Sequence, residues 1–356
     1  MARDFTILSS FYSHESKALL ELNYELIRAK NPGKTLPWVV ADNTPPGMHE
    51  TIDEKKFILV PGARALEPEH IDGYHHGKTP SCEHGVVLNN FHNYVNTRFA
   101  LIVDNDFFIV REEWIDDVLE HMDKEGLTFF GSPFHPRYYH KLRYFPCPQL
   151  FFIDTKNMPM SSLNFKPRCD FKSTHAPEGH LEGAYTPRAS MGGMARRARK
   201  IVRSFVGAPK KFNYHYSPFS IKQRGMIEGS QDTVTYLALA YRDDPRVLSE
   251  CLQPVFKPWQ DGGKGGMFYA VNRLLEFFLP DRFCFIPKRK GYFSTEGFKD
   301  RGYIDVQSID KWWEELLWKD EPFGFHLRQN RSVASRGLEQ DILIVRHIID
   351  SFSHTP

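Results

Sequence analysis

Two carboxylates one residue apart, Asp104 and Asp106, close an unbroken apolar run from Phe99 to Val103. A short run of β-favouring residues reads as a strand buried on both faces, and this one stops abruptly at Asp104-Asn105-Asp106. Side chains two apart along an extended chain point the same way, so the pair can converge on one cation or one polar ligand. A lone Asp-x-Asp also caps helices and turns loops, and its setting is what argues for more. In open α/β sheets ligands bind at the carboxyl ends of the strands. Trp114, Val118, Leu119 and Met122 share one stripe further on, which predicts an amphipathic helix and places the acids at a strand-to-helix junction.

The elements that must position this pair can be read along the chain. Phe5, Ile7 and Leu8 begin a strand that gives way to a polar loop over 9–14, and Leu19, Leu22, Leu26 and Ile27 follow at helical spacing up to Asn31-Pro32-Gly33. Strands are expected over 38–41 and 57–60, then a helix burying Val87, Phe91, Tyr94 and Val95, then the central strand. This β-α-β-β-α-β alternation predicts a mostly parallel sheet with helices packed on it. Further strands are expected over 127–130, 149–153 and 283–287, and helices over 267–279 and 312–318. Val234, Leu237, Ala238 and Tyr241 mark one more helix, and Ile342, Val345, Ile349 and Phe352 a closing one.

The ordered set carries a resemblance. A first strand ending in Ser9 and Ser10, a second ending in Asp42, the segment His84-Gly85-Val86-Val87-Leu88-Asn89-Asn90, and Leu101-Ile102-Val103-Asp104-Asn105-Asp106 resemble the nucleotide-sugar half of family-2-type glycosyltransferases of the GT-A fold. The match covers roughly the first third of the chain. It implies an α/β, Rossmann-like, mostly parallel central sheet flanked by helices, with an inserted basic region and a helical C-terminal part. Residues 1–160 would be the nucleotide-sugar half and 161–356 the acceptor-binding and catalytic half.

The same resemblance implies roles for single residues. Ser9, Phe11, Tyr12 and Asp42 would hold the nucleoside, although Asp42 beside Pro45-Pro46 also reads as a turn acid. Gly85 and Asn89, as a helix start, would lie near base and diphosphate, because the free N–H groups and dipole of a helix N-terminus favour anions. Asp106 and Asp104 would bind a divalent ion, with Asp104 and Asn105 also touching the donor. His326, in the late stretch 322–332, resembles a further metal ligand, and Arg328 and Arg331 could meet phosphate oxygens. Mn²⁺ or Mg²⁺ fits carboxylate, phosphate and water ligands, and one histidine tilts the choice towards Mn²⁺. Asp232 takes the place of the catalytic base; Gln231 stands where the family has Glu, which leaves Glu228 as a substitute.

Composition bounds the alternatives. The 356 residues are 41% hydrophobic and 25% charged, those of an ordinary globular protein, and a net charge of +2 gives no ground for a nucleic-acid partner. No run is long and apolar enough to span a bilayer, and the first residues lack a signal peptide's apolar segment. From the lack of both, cytoplasmic residence is expected. Five scattered cysteines, Cys82, Cys147, Cys169, Cys251 and Cys284, form no zinc spacing or disulfide framework and read as reduced thiols. The region from about 165 to 224 is a basic insertion. Inside it the pattern of residues 191–206 predicts an amphipathic helix with Arg196, Arg197, Arg199, Lys200 and Arg203 on its polar side, suited to the anionic inner face of a membrane, to docking on its own domain or to a polyanion contact. Gly262 to Gly266 lacks the ending of a phosphate-binding loop and reads as a mobile loop instead.

The activity implied is metal-dependent transfer of a sugar from a nucleoside diphosphate sugar to a hydroxyl of a glycan or lipid-linked glycan. One base opposite the leaving group means a single displacement with inversion. A retaining transferase of the same fold, a sugar-phosphate nucleotidyltransferase and a non-catalytic nucleotide-sugar-binding module are the competing readings. Residues 9–13 contain no Gly, Lys or Arg, which counts against the nucleotidyltransferase.

Overall fold

The computed structural model describes residues 5–12, 14–44, 52–67, 79–135, 145–166, 233–241, 244–257, 293–303, 313–327 and 338–353. These carry two sheets. In the larger, β1 (Phe5–Phe11), β2 (Trp38–Asp42), β3 (Ile58–Pro61) and β4 (Phe99–Val103) run parallel in the order β3-β2-β1-β4. The smaller sheet begins with β5 (Phe107–Ile109), which follows β4 directly. β6 (Phe129–Pro133), β7 (Pro146–Asp154) and β8 (Ser249–Cys251) complete the larger sheet beyond β4 in the order β7-β6-β8, with β7 antiparallel to both its neighbours. β9 (Gln253–Pro254), β10 (Trp313–Trp318) and β11 (Glu321–Leu327) make the antiparallel sheet β5-β11-β10-β9.

Helices cover both layers. α1 (His14–Lys30) presents Leu20 and Ile27 to the larger sheet and Leu19, Leu22 and Leu26 to the smaller one. After the short α2 (Ala63–Leu66), α3 (Thr79–Asn90) buries Val86, Val87 and Leu88 against the opposite face of the larger sheet. α4 (Trp114–Glu125) puts Trp114, Val118, Leu119 and Met122 into the core and stops at Gly126, whose φ of +66° is the left-handed end that glycine takes without strain. α5 (Thr235–Tyr241) buries Leu237 and Ala238 together with the preceding Val234, and α6 (Leu338–Ser353) packs Val345 and Ile348 behind the smaller sheet. The mixed α/β architecture with a mostly parallel central sheet and flanking helices is therefore present.

Several elements differ from the sequence reading. β1 does not end at Leu8 but continues through Ser9, Ser10 and Phe11, all buried, because β2 pairs with it as far as Phe11. The expected helix over 312–318 is the strand β10. Its side chains alternate between two apolar faces, with Leu316 and Trp318 in one cluster and Trp313 and Leu317 in another, and burial on both sides overrides the helix propensity of Glu and Leu. The acids lead not into a helix but into β5, so 104–106 is the turn by which the chain leaves one sheet for the other. Tyr94, expected on a buried helical face, is more than a third exposed beyond the end of α3. Cys82 is disulfide-bonded, with its partner outside the described residues, while Cys147 and Cys251 are free. The reduced-thiol reading is corrected at that position.

No helix among the described residues is long and apolar enough to cross a membrane. The basic helix of 191–206, the loop at 262–266 and the elements expected over 267–279 and 283–287 lie outside the described residues.

Gly62 shows how tightly the β2 end is packed. A methyl group there would lie 1.8 Å from the Asp42 carbonyl oxygen. Gly62→Ala should therefore force β2 and α2 apart and lower stability by about 1–3 kcal/mol, read from the urea midpoint.

Candidate metal centre

Asp104, Asp106 and His326 present one ligand atom each, and the three atoms lie within 4.8 Å of one another. The two acids owe their place to backbone ties on either side of the turn. The Asp104 N–H donates to the Gln149 carbonyl of β7 (3.1 Å), and the Leu327 N–H donates to the Asp106 carbonyl (2.8 Å), which locks the turn to β11. Between the acids, the Asn105 amide donates to the Ser10 carbonyl at the end of β1 (2.8 Å). Just after them, Asn23 of α1 donates to the Phe107 carbonyl (2.8 Å).

His326 is 5% exposed, with Nε2 3.2 Å from Asp106 Oδ1 and Nδ1 2.8 Å from Glu314 Oε2. Burial alone would keep this imidazole neutral, but the carboxylates of Asp106 and Glu314 outweigh it and push its pKa up to about 10. Without a cation the site holds itself together as an imidazolium between two carboxylates. With one, two hard carboxylates and an imidazole are a donor set that fits Mn²⁺ or Mg²⁺, so the residues present suit the group expected from the sequence.

His84 of α3 stands on the other side, its Nε2 3.9 Å from Asp104 Oδ1. Burial lowers its pKa to about 4, so it is neutral at physiological pH and adds no positive charge against a cation. Tyr12 lies at the end of β1, where burial first, and then the charges of Asp104 and Glu83, raise its phenol above the usual range. Asn105 Oδ1 and Thr44 Oγ1, at the ends of β4 and β2, are buried with no hydrogen-bond partner among the described residues. Buried polar atoms are seldom left so, and a polar ligand at this strand end would satisfy them.

The remaining sequence-predicted residues divide clearly. Asp42 sits at the end of β2 and accepts from the Thr44 N–H (2.9 Å), the turn role weighed for it. Ser9 is inside the sheet, donating to the Val103 carbonyl (2.8 Å) and accepting from the Trp38 indole (3.0 Å), and Phe11 is wholly buried in the core. Gly85 and Asn89 lie in the body and last turn of α3, not at its start, so the N-terminal anion argument does not reach them. Asn89 is engaged elsewhere, accepting from the Phe165 N–H (2.7 Å) and donating to Asn164 (3.2 Å). Asp232, Arg328 and Arg331 are outside the described residues. The sequence reading did not single out Glu314, which lay inside a segment taken for a helix, nor a role for His84 or Thr44.

No protein-family model matches the chain, and no curated protein matches it. Among solved structures it is similar to a mannosyltransferase, PcManGT, from Pyrobaculum calidifontis in complex with GDP-Man and Mn²⁺, at 13% identity and a TM-score of 0.30 over 44% of this chain and 46% of that one. It is also similar to residues 1–349 of S. aureus TarS in complex with UDP-GlcNAc, at 13% identity and a TM-score of 0.29 over 46% and 48% of the two chains. A third is mouse xyloside xylosyltransferase 1, at 11% identity and a TM-score of 0.30 over 45% and 71%. The matched part spans about half the length of the first two.

A histidine whose folded pKa lies above its ordinary 6.5 contributes stability that is complete below that value and disappears as pH rises through about 10. In EDTA the wild-type protein should lose stability across that window, and in Asp106→Asn the loss should begin and end at lower pH, as followed by urea unfolding.

Proposed function

We propose that this chain is a metal-dependent glycosyltransferase that moves a sugar from a nucleoside diphosphate sugar to a hydroxyl of a glycan or lipid-linked glycan, with inversion. The observation that carries the reading is the convergence of Asp104, Asp106 and His326 at the carboxyl end of a central parallel strand, beside Asn105, whose buried Oδ1 has no partner among the described residues. Asp106 and His326 would hold Mn²⁺ or Mg²⁺, with Asp104 reaching the same ion or the donor. When bound, such an ion acts as a Lewis acid that neutralises the departing diphosphate. Tyr12, Thr44 and Asn105 would line the nucleoside side, and neutral His84 would lie along the donor next to Asp104.

Three residues of the proposal belong to the chain beyond the described segments. Asp232 precedes α5, whose buried Val234, Leu237 and Ala238 tie that helix to the larger sheet. As a base it would take the proton of the attacking hydroxyl, a task worth roughly 10²–10⁴-fold. Arg328 and Arg331 follow directly on β11, two and five residues beyond His326, and would meet phosphate oxygens. The basic segment 191–206 would rest on the anionic inner surface of a membrane and so bring the enzyme to a lipid-linked acceptor.

Two measurements test this reading. Nucleoside diphosphates should raise the melting temperature only when Mn²⁺ or Mg²⁺ is present, and Asp106→Asn should remove that dependence; a shift of equal size without metal would defeat the reading. With the preferred donor in hand, Asp232→Asn should lower turnover by roughly 10²–10⁴-fold while leaving donor binding in place, and the anomeric configuration of the product separates inversion from retention.

A further inference from the structure

The larger and smaller sheets meet at the 104–106 turn, and there one buried acid lies outside the ligand trio. Glu314 is 2% exposed and sits on β10 directly opposite His326 of β11. His326 in turn lies opposite Phe107 of β5. Cross-strand neighbours share a face, so Glu314, His326 and Phe107 form one row across the smaller sheet. Each flank of the row grips the imidazole. Glu314 Oε2 is 2.8 Å from Nδ1, and the Phe107 ring stacks with the imidazole at 6.2 Å between centroids and 25° between planes.

The chemistry of Glu314 is out of keeping with its strand. Leu316 and Trp318, at two-residue steps from it on the same face, belong to the apolar core. Replacing a buried ionic group by an apolar one of similar volume is often neutral or stabilising, so stability alone does not account for an acid there. Its geometry does. A carboxylate on Nδ1 fixes the ring about its own axis, keeps the proton on Nδ1 and leaves the Nε2 lone pair as the ligand, aimed at Asp106.

We infer that Glu314 is a positioning residue for the metal centre: it holds His326 in the Nδ1–H tautomer with Nε2 directed at the cation shared with Asp106 and Asp104. This rests on the metal reading of the site proposed above and adds a residue to it. In this role Glu314 acts through His326.

The test compares the full-length wild type with Glu314→Leu and Glu314→Gln, each checked for folding by circular dichroism and melting in EDTA. Mn²⁺ affinity is read from the electron paramagnetic resonance of free Mn²⁺, with no substrate present. The His326 tautomer is read from two-bond nitrogen–proton couplings of ¹⁵N-histidine protein loaded with Mg²⁺. Glu314→Leu should fold, bind Mn²⁺ about 10–100-fold more weakly and lose the uniform Nδ1–H signature. Glu314→Gln keeps an acceptor for Nδ1–H and should lose less affinity while keeping the signature. A folded Glu314→Leu with wild-type affinity and an unchanged tautomer would overturn the inference and leave the metal reading standing. If Glu314→Leu does not fold, Glu314→Gln decides, and an affinity equal to wild type overturns the inference. A wild type that binds no Mn²⁺ overturns both.

Discussion

The site depends on the register of β5 against β11. Asp106 and His326 are 220 residues apart in the chain, and the Leu327 N–H to Asp106 carbonyl bond sets them side by side. Because side chains alternate between faces, a slip of one residue would turn His326 away from the acids and towards the cluster of Trp313, Leu317 and Phe325 behind the sheet. Gly324 helps hold the register. A methyl group there would lie 2.6 Å from the Phe108 carbonyl oxygen, so only glycine lets β5 pair this closely. The stacked rings of Phe108 and Phe325, 5.3 Å apart, pin the same register from the opposite face.

This arrangement explains how so much charge is tolerated at a seam between two sheets. Buried carboxylates without partners are strongly unfavourable, and here Asp106 and Glu314 share a single imidazole that is held protonated between them. In the absence of a cation the imidazole bridges Asp106 and Glu314, and the cluster becomes a ligand set once Nε2 gives up its proton. Metal loading and proton release are therefore linked in the same three side chains. His84 behaves differently across the turn: its Nε2 is 3.9 Å from Asp104 Oδ1, beyond hydrogen-bond distance, and burial lowers its pKa.

How much of this was legible in the sequence depends on whether the signal was local. Phe99–Val103 and the acids after it were readable because an apolar run that ends in two carboxylates is a local pattern, and the helical stripe of Trp114, Val118, Leu119 and Met122 was readable for the same reason. The 313–318 strand was not. Trp-Glu-Glu-Leu-Leu-Trp has helix-favouring residues, and only its position between β9 and β11, with apolar layers on both faces, makes it extended. Misreading that segment hid Glu314. The resemblance places Ser9 and Phe11 in a ligand loop after the first strand, whereas pairing with β2 keeps them in the sheet, with the Ser9 hydroxyl bonded to Val103 and Trp38.

The two acids are tied to different bodies, and this bears on how a ligand would be read. Asp104 is anchored to β7 of the larger sheet and faces His84 of α3, whereas Asp106 is anchored to β11 of the smaller one. A cation held by both would join the sheets at the point where the chain crosses between them. Asn105, in the middle of the turn, is fixed by its side-chain amide to the Ser10 carbonyl, and its Oδ1 is buried with no partner among the described residues. The turn is tied on both sides, by Asp104 to β7 and by Asp106 to β11. Preorganisation of this kind lets a ligand bind without first ordering the acids.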